Sequence, residues 1–423
     1  MTATRRDVVI AVLLAMLGFG LYSYGAATPS PTASEQPLRA AVDLLTAHRG
    51  HDDAGRFLPV FVRIAPELWL PPVPTYTTLT IAAVGRANQP ARRAAAIFGA
   101  VGVALTYMLA LALFRQRALA AIAALLLLSN PAYLTAARSG APDGVWIIPP
   151  LALSLFAVTR FAETGARWSL AVAAAALATC AYVQPSGALL AAIVGVAIAI
   201  GLGRAGLLSA RDLSPAIGAA AVVLAPIALW LLVHPTSYMD TFGRWLLHPA
   251  YIRHPWSLVI RMMNWFSLAD WASIYWNVLD PTHLLYDADA SASAGTFLMA
   301  CGVFLAVAAY DLAWPSQPRT TAEAALLWIA AVGFVASPLV PASFNEPGAI
   351  QKAMSLPLFG TILCALGIRA LWTMPWKSTR VAVVLLLAAS IAQCVATLPG
   401  RLESRRSQPA RSSRGATAGT ASS

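Results

Sequence analysis

Glu35, Asp52 and Asp53 are the first candidates for chemistry, three carboxylates within residues 27–93 of a chain that has few charges elsewhere. A carboxylate held beside a reacting hydroxyl can take its proton as that hydroxyl attacks. Glu35 falls in the first turn of a predicted short helix, because Leu38, Val42 and Leu45 recur at spacings of four and three. Gly50-His51-Asp52-Asp53-Ala54-Gly55-Arg56 then reads as a turn-rich acidic segment, followed by the apolar Phe57-Leu58-Pro59-Val60-Phe61-Val62. Two short surface helices with a carboxylate-bearing turn between them would make one wall of an active site. A solvated loop whose acids balance Arg49 and Arg56 would account for the same residues. His48 and His51 have HxxH spacing beside Asp52, but they lack the helical HExxH frame of a zinc site, so no metal is expected. No GKS or GKT phosphate loop occurs, and no cofactor is expected.

The elements that must position this loop are membrane helices. Of 423 residues, 58% are hydrophobic and 11% charged, against about 25% charged in a soluble domain, and the mean hydropathy is +0.67. A water-exposed globule is excluded, as is disorder over most of the length; the spread of apolar runs along the whole chain excludes a single-span receptor. A span needs roughly 20 mostly apolar residues. Stretches near 8–26, 94–114, 118–136, 145–161, 168–183, 187–203, 217–233, 295–313, 324–340, 353–371 and 381–397 meet that rule, about eleven spans. The first, preceded by Arg5 and Arg6, reads as a retained signal anchor. Residues 73–84 are apolar but too short to cross and carry Thr75, Thr77, Thr78 and Thr80, which predicts an interfacial helix. The expected fold is an all-α polytopic membrane protein with interfacial helices in its first outer loop. Residues 1–397 form the membrane domain, with long outer loops at 27–93 and 234–293, and 398–423 form a disordered basic tail.

Orientation follows from arginine. With a cytoplasmic N-terminus, the short inner loops hold Arg115, Arg117, Arg160, Arg167, Arg204, Arg211, Arg319, Arg369, Lys377 and Arg380; the short outer loops hold only Arg138 and Lys352. All six histidines and 13 of the 18 acids then lie outside, which puts any chemistry at the outer surface. The net charge of +11 is scattered between apolar runs, so its expected partner is membrane lipid and not nucleic acid. A transporter would keep ionisable groups at mid-membrane, where each costs roughly 2.5 to 3.5 kcal/mol, and the spans have almost none. Cys180, Cys301, Cys364 and Cys394 lie in apolar segments without metal-like spacing and read as inert core residues. In the second long loop Trp245, Trp256, Trp265, Trp271 and Trp276 suit either an interfacial belt or stacking on sugar faces.

The order of these features resembles the type C membrane glycosyltransferases, in particular the bacterial branch similar to protein O-mannosyltransferases and to the lipopolysaccharide-core and lipid A sugar transferases (glycosyltransferase family 39-like). The residues that carry the resemblance are Ser34-Glu35, the helix at 40–45, the turn at 50–55, Leu58-Pro59 and Trp69-Leu70-Pro71-Pro72 with Tyr76. Asn130-Pro131 with Arg138, Tyr182 with Pro185, Leu284-Leu285-Tyr286-Asp287-Ala288-Asp289 before Gly295, and Lys352 with Pro357 continue it along most of the chain. The family's catalytic aspartate is the first member of an Asp-Glu pair, and this chain has Ser34 there. A serine hydroxyl cannot act as a carboxylate base near neutral pH. Glu35 or the Asp52-Asp53 pair has taken over the role, or the correspondence is off by one residue, or catalysis is lost.

The resemblance implies an enzyme that takes a sugar, hexosyl or pentosyl, from a polyprenyl-phosphate-linked donor. It would pass the sugar to a hydroxyl of an envelope acceptor (glycan, lipid or protein) at the outer face of the inner (plasma) membrane. A carboxylate takes the acceptor's proton, with Glu35, Asp52 and Asp53 as candidates, while cations hold the lipid phosphate as its charge builds. Arg138 and Lys352 are the candidate phosphate holders, with Tyr76 and Asp289 as further substrate-binding residues; lipid-headgroup snorkelling explains the two cations equally simply.

Overall fold

The computed structural model describes residues 4–24, 35–65, 68–85, 89–142, 144–184, 186–235, 237, 265–286, 295–342 and 353–403. The chain runs through α1 (Arg5–Ser23), α2 (Gln36–Ala47), β1 (Val62–Ala65), β2 (Leu68–Leu70), α3 (Pro72–Gly85), α4 (Pro90–Phe114), α5 (Arg117–Leu128) and α6 (Pro131–Ser139). It continues through α7 (Ile148–Thr164), α8 (Arg167–Thr179), α9 (Gly187–Arg204), α10 (Ala210–Val233), α11 (Trp265–Leu279) and α12 (Pro281–Leu285). The last elements are α13 (Met299–Ala313), α14 (Thr321–Ala336), α15 (Leu339–Ala342), α16 (Ser355–Thr373) and α17 (Lys377–Glu403).

Each of the eleven predicted spans coincides with a helix or a helix pair, and the chain is an all-α polytopic membrane protein. The helices that are both long and apolar enough to cross number seven among the described residues, or eight if α5 and α6, bent by 59° at their junction, form one broken span. The count of about eleven is corrected accordingly: α8, α13 and α14 are 13, 15 and 16 residues long, short of a full span. α17 runs past residue 397 to Glu403, and residues 404–423 lie outside the described residues.

α4 is the hub, packed by α1, α3, α5, α6 and α7. Lipid tails are as apolar as the helix surfaces, so association depends on close approach of small residues. A methyl group at Gly102 would come within 2.2 Å of the Tyr133 hydroxyl, which donates to the Gly99 carbonyl at 2.8 Å. Glycine thus lets α6 lie against α4. The bend before α6 has a local cause: Pro131 cannot extend the hydrogen bonding of α5, and the Asn130 side chain caps the new helix by accepting from the Tyr133 N–H at 2.9 Å. Arg138 is therefore in the last turn of a half-helix and not in a loop after a straight third span.

The first loop is as structured as its pattern suggests. α2 buries Leu38, Ala41, Val42 and Leu45, and α3 covers the predicted interfacial segment. The sequence gives no warning of the hairpin between them, in which β1 and β2 pair antiparallel with Val62 opposite Leu70 and Arg63 opposite Trp69.

Candidate active site in the first loop

Glu35 stands immediately before α2 and is 4% exposed; Arg92, in the first turn of α4, is 2% exposed. The Arg92 Nε donates to Glu35 Oε1 at 2.8 Å, and its Nη1 donates to Gln89 Oε1 at 2.8 Å. A charge this deeply enclosed persists only with a partner, and each of these two supplies the other's. Gly140, left-handed at φ +63°, ends α6 against the start of α4: a Cβ there would sit 2.9 Å from the Ala91 carbonyl carbon and the Arg92 nitrogen. Half-buried Arg138 donates from Nη2 to the Tyr24 carbonyl at 2.6 Å. The Glu35/Arg92 pair thus sits at the start of α4, against which α6 ends, while Arg138 in the last turn of α6 reaches the end of α1.

Asp52 organises the turn that follows α2. Its Oδ1 accepts from the backbone N–H groups of Ala54 at 3.0 Å and Arg56 at 2.9 Å, and its Oδ2 accepts from Arg56 Nε at 2.7 Å and Nη2 at 2.6 Å. Burial alone would raise this carboxyl's pKa; the side-chain and backbone hydrogen bonds from Arg56 and the backbone of Ala54 outweigh it and hold the pKa below the ordinary value. Asp53, next in the chain, is exposed. The Tyr76 O–H donates to the Pro59 carbonyl at 2.5 Å, pinning α3 to the end of this turn. Burial, helped by the charge of Asp52, raises the Tyr76 pKa, so its hydroxyl remains a proton donor.

The structure therefore divides the candidate bases. Glu35 and Asp52 are buried and ion-paired, and Asp53 faces water. Ser34, Lys352 and Asp289 lie outside the described residues. At the root of the segment holding Asp289, the N–H groups of Thr296 and Phe297 donate to the carbonyls of His283 and Leu284 at 3.1 and 2.7 Å. Trp245 and Trp256 also fall outside; Trp271 stacks on Tyr275 at 6.2 Å, and Trp276 is exposed. His51 Nδ1 lies 3.1 Å from the His48 carbonyl and its ring 5.2 Å from Phe57, so this histidine packs within its own turn. Gly201-Leu202-Gly203-Arg204-Ala205-Gly206 has dinucleotide-like glycine spacing, yet it closes α9 instead of joining a strand to a helix, the context such a turn needs.

Sequence reasoning missed Arg92, 57 residues from its partner, and the group around Arg56: Trp69, Trp230 and His234. The Asp52/Arg56 spacing was the one available signal; the long-range partners left none.

Residues 70–231 match the family described as dolichyl-phosphate-mannose-protein mannosyltransferase. No curated protein matches the chain in sequence. ArnT from Cupriavidus metallidurans bound to undecaprenyl phosphate shares the fold with a TM-score of 0.54 at 15% identity, over 94% of this chain and 72% of that one. ArnT in the apo state gives 0.54 at 15% identity, over 93% and 72%. The protein O-mannosyltransferase Pmt1-Pmt2 complex of S. cerevisiae bound to the sugar donor gives 0.39 at 17% identity, over 58% and 36%. Residues 70–231 are thus similar to that mannosyltransferase family, and nearly the whole chain has a fold like that of ArnT.

Proposed function

We propose that the chain moves a sugar from a polyprenyl-phosphate donor to a hydroxyl of an envelope lipid, glycan or protein, at the outer face of the inner membrane. The observation that carries the reading is the juxtaposition of the ordered, carboxylate-bearing first loop with Arg92 and Arg138 at one corner of the fold. That ArnT with this fold is bound to undecaprenyl phosphate supports the donor class. In the reaction the acceptor oxygen forms a bond to the anomeric carbon while the bond from that carbon to the phosphate oxygen breaks. The electron pair leaves with the phosphate, and the acceptor's proton passes to a carboxylate. Asp53 is the carboxylate open to an incoming acceptor, while Glu35 and Asp52 hold the loop through their arginines. Arg138 and Lys352 meet the phosphate.

A second reading, a member impaired in catalysis that binds lipid-linked sugar or scaffolds an envelope complex, is favoured by one fact: both buried carboxylates are already engaged by arginine. Mass spectrometry of lipid A, core glycans and glycoproteins from cells with and without the chain decides between them. A sugar present only with the wild type and lost in Asp53→Asn supports transfer. Envelopes that are identical in every comparison, with a product gained on Ser34→Asp, would establish the impaired reading.

A further inference from the structure

Arg56 lies where three stretches of chain converge. Its fork holds Asp52 Oδ2, and its guanidinium carbon sits 5.3 Å from the Trp69 ring centre and 5.1 Å from that of Trp230. Its Nη1 is 3.5 Å from His234 Nε2. Asp52 belongs to the turn after α2 and Trp69 to β2; Trp230 and His234 close α10, at the root of the second long loop.

We propose that Arg56 is a positioning residue that registers the Asp52 turn of the first loop against the end of α10, so that the roots of the two long loops form one wall. Apolar packing already joins these surfaces, since Phe61, Trp69, Ala181 and Ile227 form one buried cluster with Trp230 against it. Such packing has little directionality. A planar guanidinium that forks onto a carboxylate and lies over indole rings has much more, because displacement along either surface costs the fork or the ring contact. The Trp69 and Trp230 rings, 6.2 Å apart at 78° to one another, offer their π-systems to the same cation from two different elements. Arg63 also lies over Trp69, at 5.7 Å, but it comes from the same hairpin as that ring. Asp52 supplies the opposite charge that lets the guanidinium be drawn in among aromatics, and His234 presents its Nε2 to the remaining edge.

That this wall serves sugar transfer rests on the function proposed above; the registry itself does not. Hydrogen exchange of the purified full chain in detergent tests it, read on peptides spanning 48–60 and 226–235. In Arg56→Gln, protection is expected to fall in both peptides while α4 and α16 keep theirs. Trp230→Ala should loosen 48–60 in turn, and Arg56→Lys, which keeps the charge without the planar fork, should show the same pattern at smaller amplitude. Loss confined to 48–60 would reduce Arg56 to a local turn anchor and overturn the proposal. An unchanged pair of peptides, or equal loss throughout the chain, would overturn it as well. Loosened peptides alongside an unaltered envelope glycan would uphold the registry and count against the transferase reading alone.

Discussion

At the end of the bundle where α4 stops and α5 starts, five acids each meet an arginine. Asp7 pairs with Arg117 at 2.6 Å, Glu163 with Arg115 at 3.3 Å and Arg160 at 2.9 Å, Asp212 with Arg167 at 3.0 Å, Glu323 with Arg369 at 2.6 Å, and Asp311 with Arg319. Arg115 and Arg167 are largely in water, with side chains more than half exposed, whereas Asp311 with Arg319, which braces the turn between α13 and α14, and Glu323 with Arg369 are mostly enclosed even at this end. At the opposite end Glu35 and Arg92 are both enclosed, and Asp52 is enclosed with Arg56 three-quarters so. The chemistry of the pairs is the same, but their job differs. Exposed pairs tack neighbouring helix ends together at the membrane boundary, whereas enclosed pairs carry a loop whose shape would otherwise cost too much conformational entropy to hold.

The sharpest way to break this contrast is the Glu35/Arg92 pair. Arg92→Gln leaves a buried carboxylate, and Glu35→Gln a buried guanidinium, each expected to cost about 3 to 5 kcal/mol. The double variant Glu35→Gln with Arg92→Met removes both charges and should cost less than the sum of the single losses. Thermal unfolding of the purified chain in detergent reads all three. Additive losses would mean that the two residues act separately, and the enclosed pair would cease to be a unit.

Asp52 comes next. Asp52→Asn removes the charge from hydrogen bonds that hold the turn, at an expected cost of about 1.5 to 3 kcal/mol. Because the folded pKa lies below the ordinary carboxylate value, this stabilisation is complete above about pH 5, well clear of the unfolded pKa, and is lost as pH falls through the folded pKa. The difference in unfolding temperature between wild type and Asp52→Asn should therefore shrink from about pH 5 downward. A gap that is constant with pH would show that ionisation of Asp52 contributes nothing.

These effects also mark what could be read in the sequence. The apolar face of α2, the helix at α3 and the membrane spans follow from local periodicity and length, which a sequence displays directly. The break between α5 and α6 was signalled by Asn130-Pro131, but length arithmetic merged the two because their combined run is long enough to cross. Glu35 and Asp52 stand out as carboxylates, yet their burial depends on Arg92, Trp69 and Trp230, contributed by distant stretches. A candidate base and a buried structural anion look alike until those partners are placed. The exposure of Asp53 was legible for the opposite reason, since a turn rich in glycine already implies access to water.

The smallest effect is expected from Glu163→Gln at the arginine-lined end. The change removes one partner from Arg115 and Arg160, both of which have a path to water: their side chains are 59% and 26% exposed. No charge is stranded, so the loss should stay below about 1 kcal/mol. Raising ionic strength shortens the screening length from about 8 Å at physiological salt to about 3 Å at 1 M, and the residual difference from wild type should vanish there. The Glu35/Arg92 variants, whose charges are screened by protein and not by salt, should keep their full deficit under the same conditions. If Glu163→Gln instead proves as costly as Glu35→Gln, and as indifferent to salt, then exposure of the arginine does not decide what a pair is worth in this fold, and the two ends are built alike.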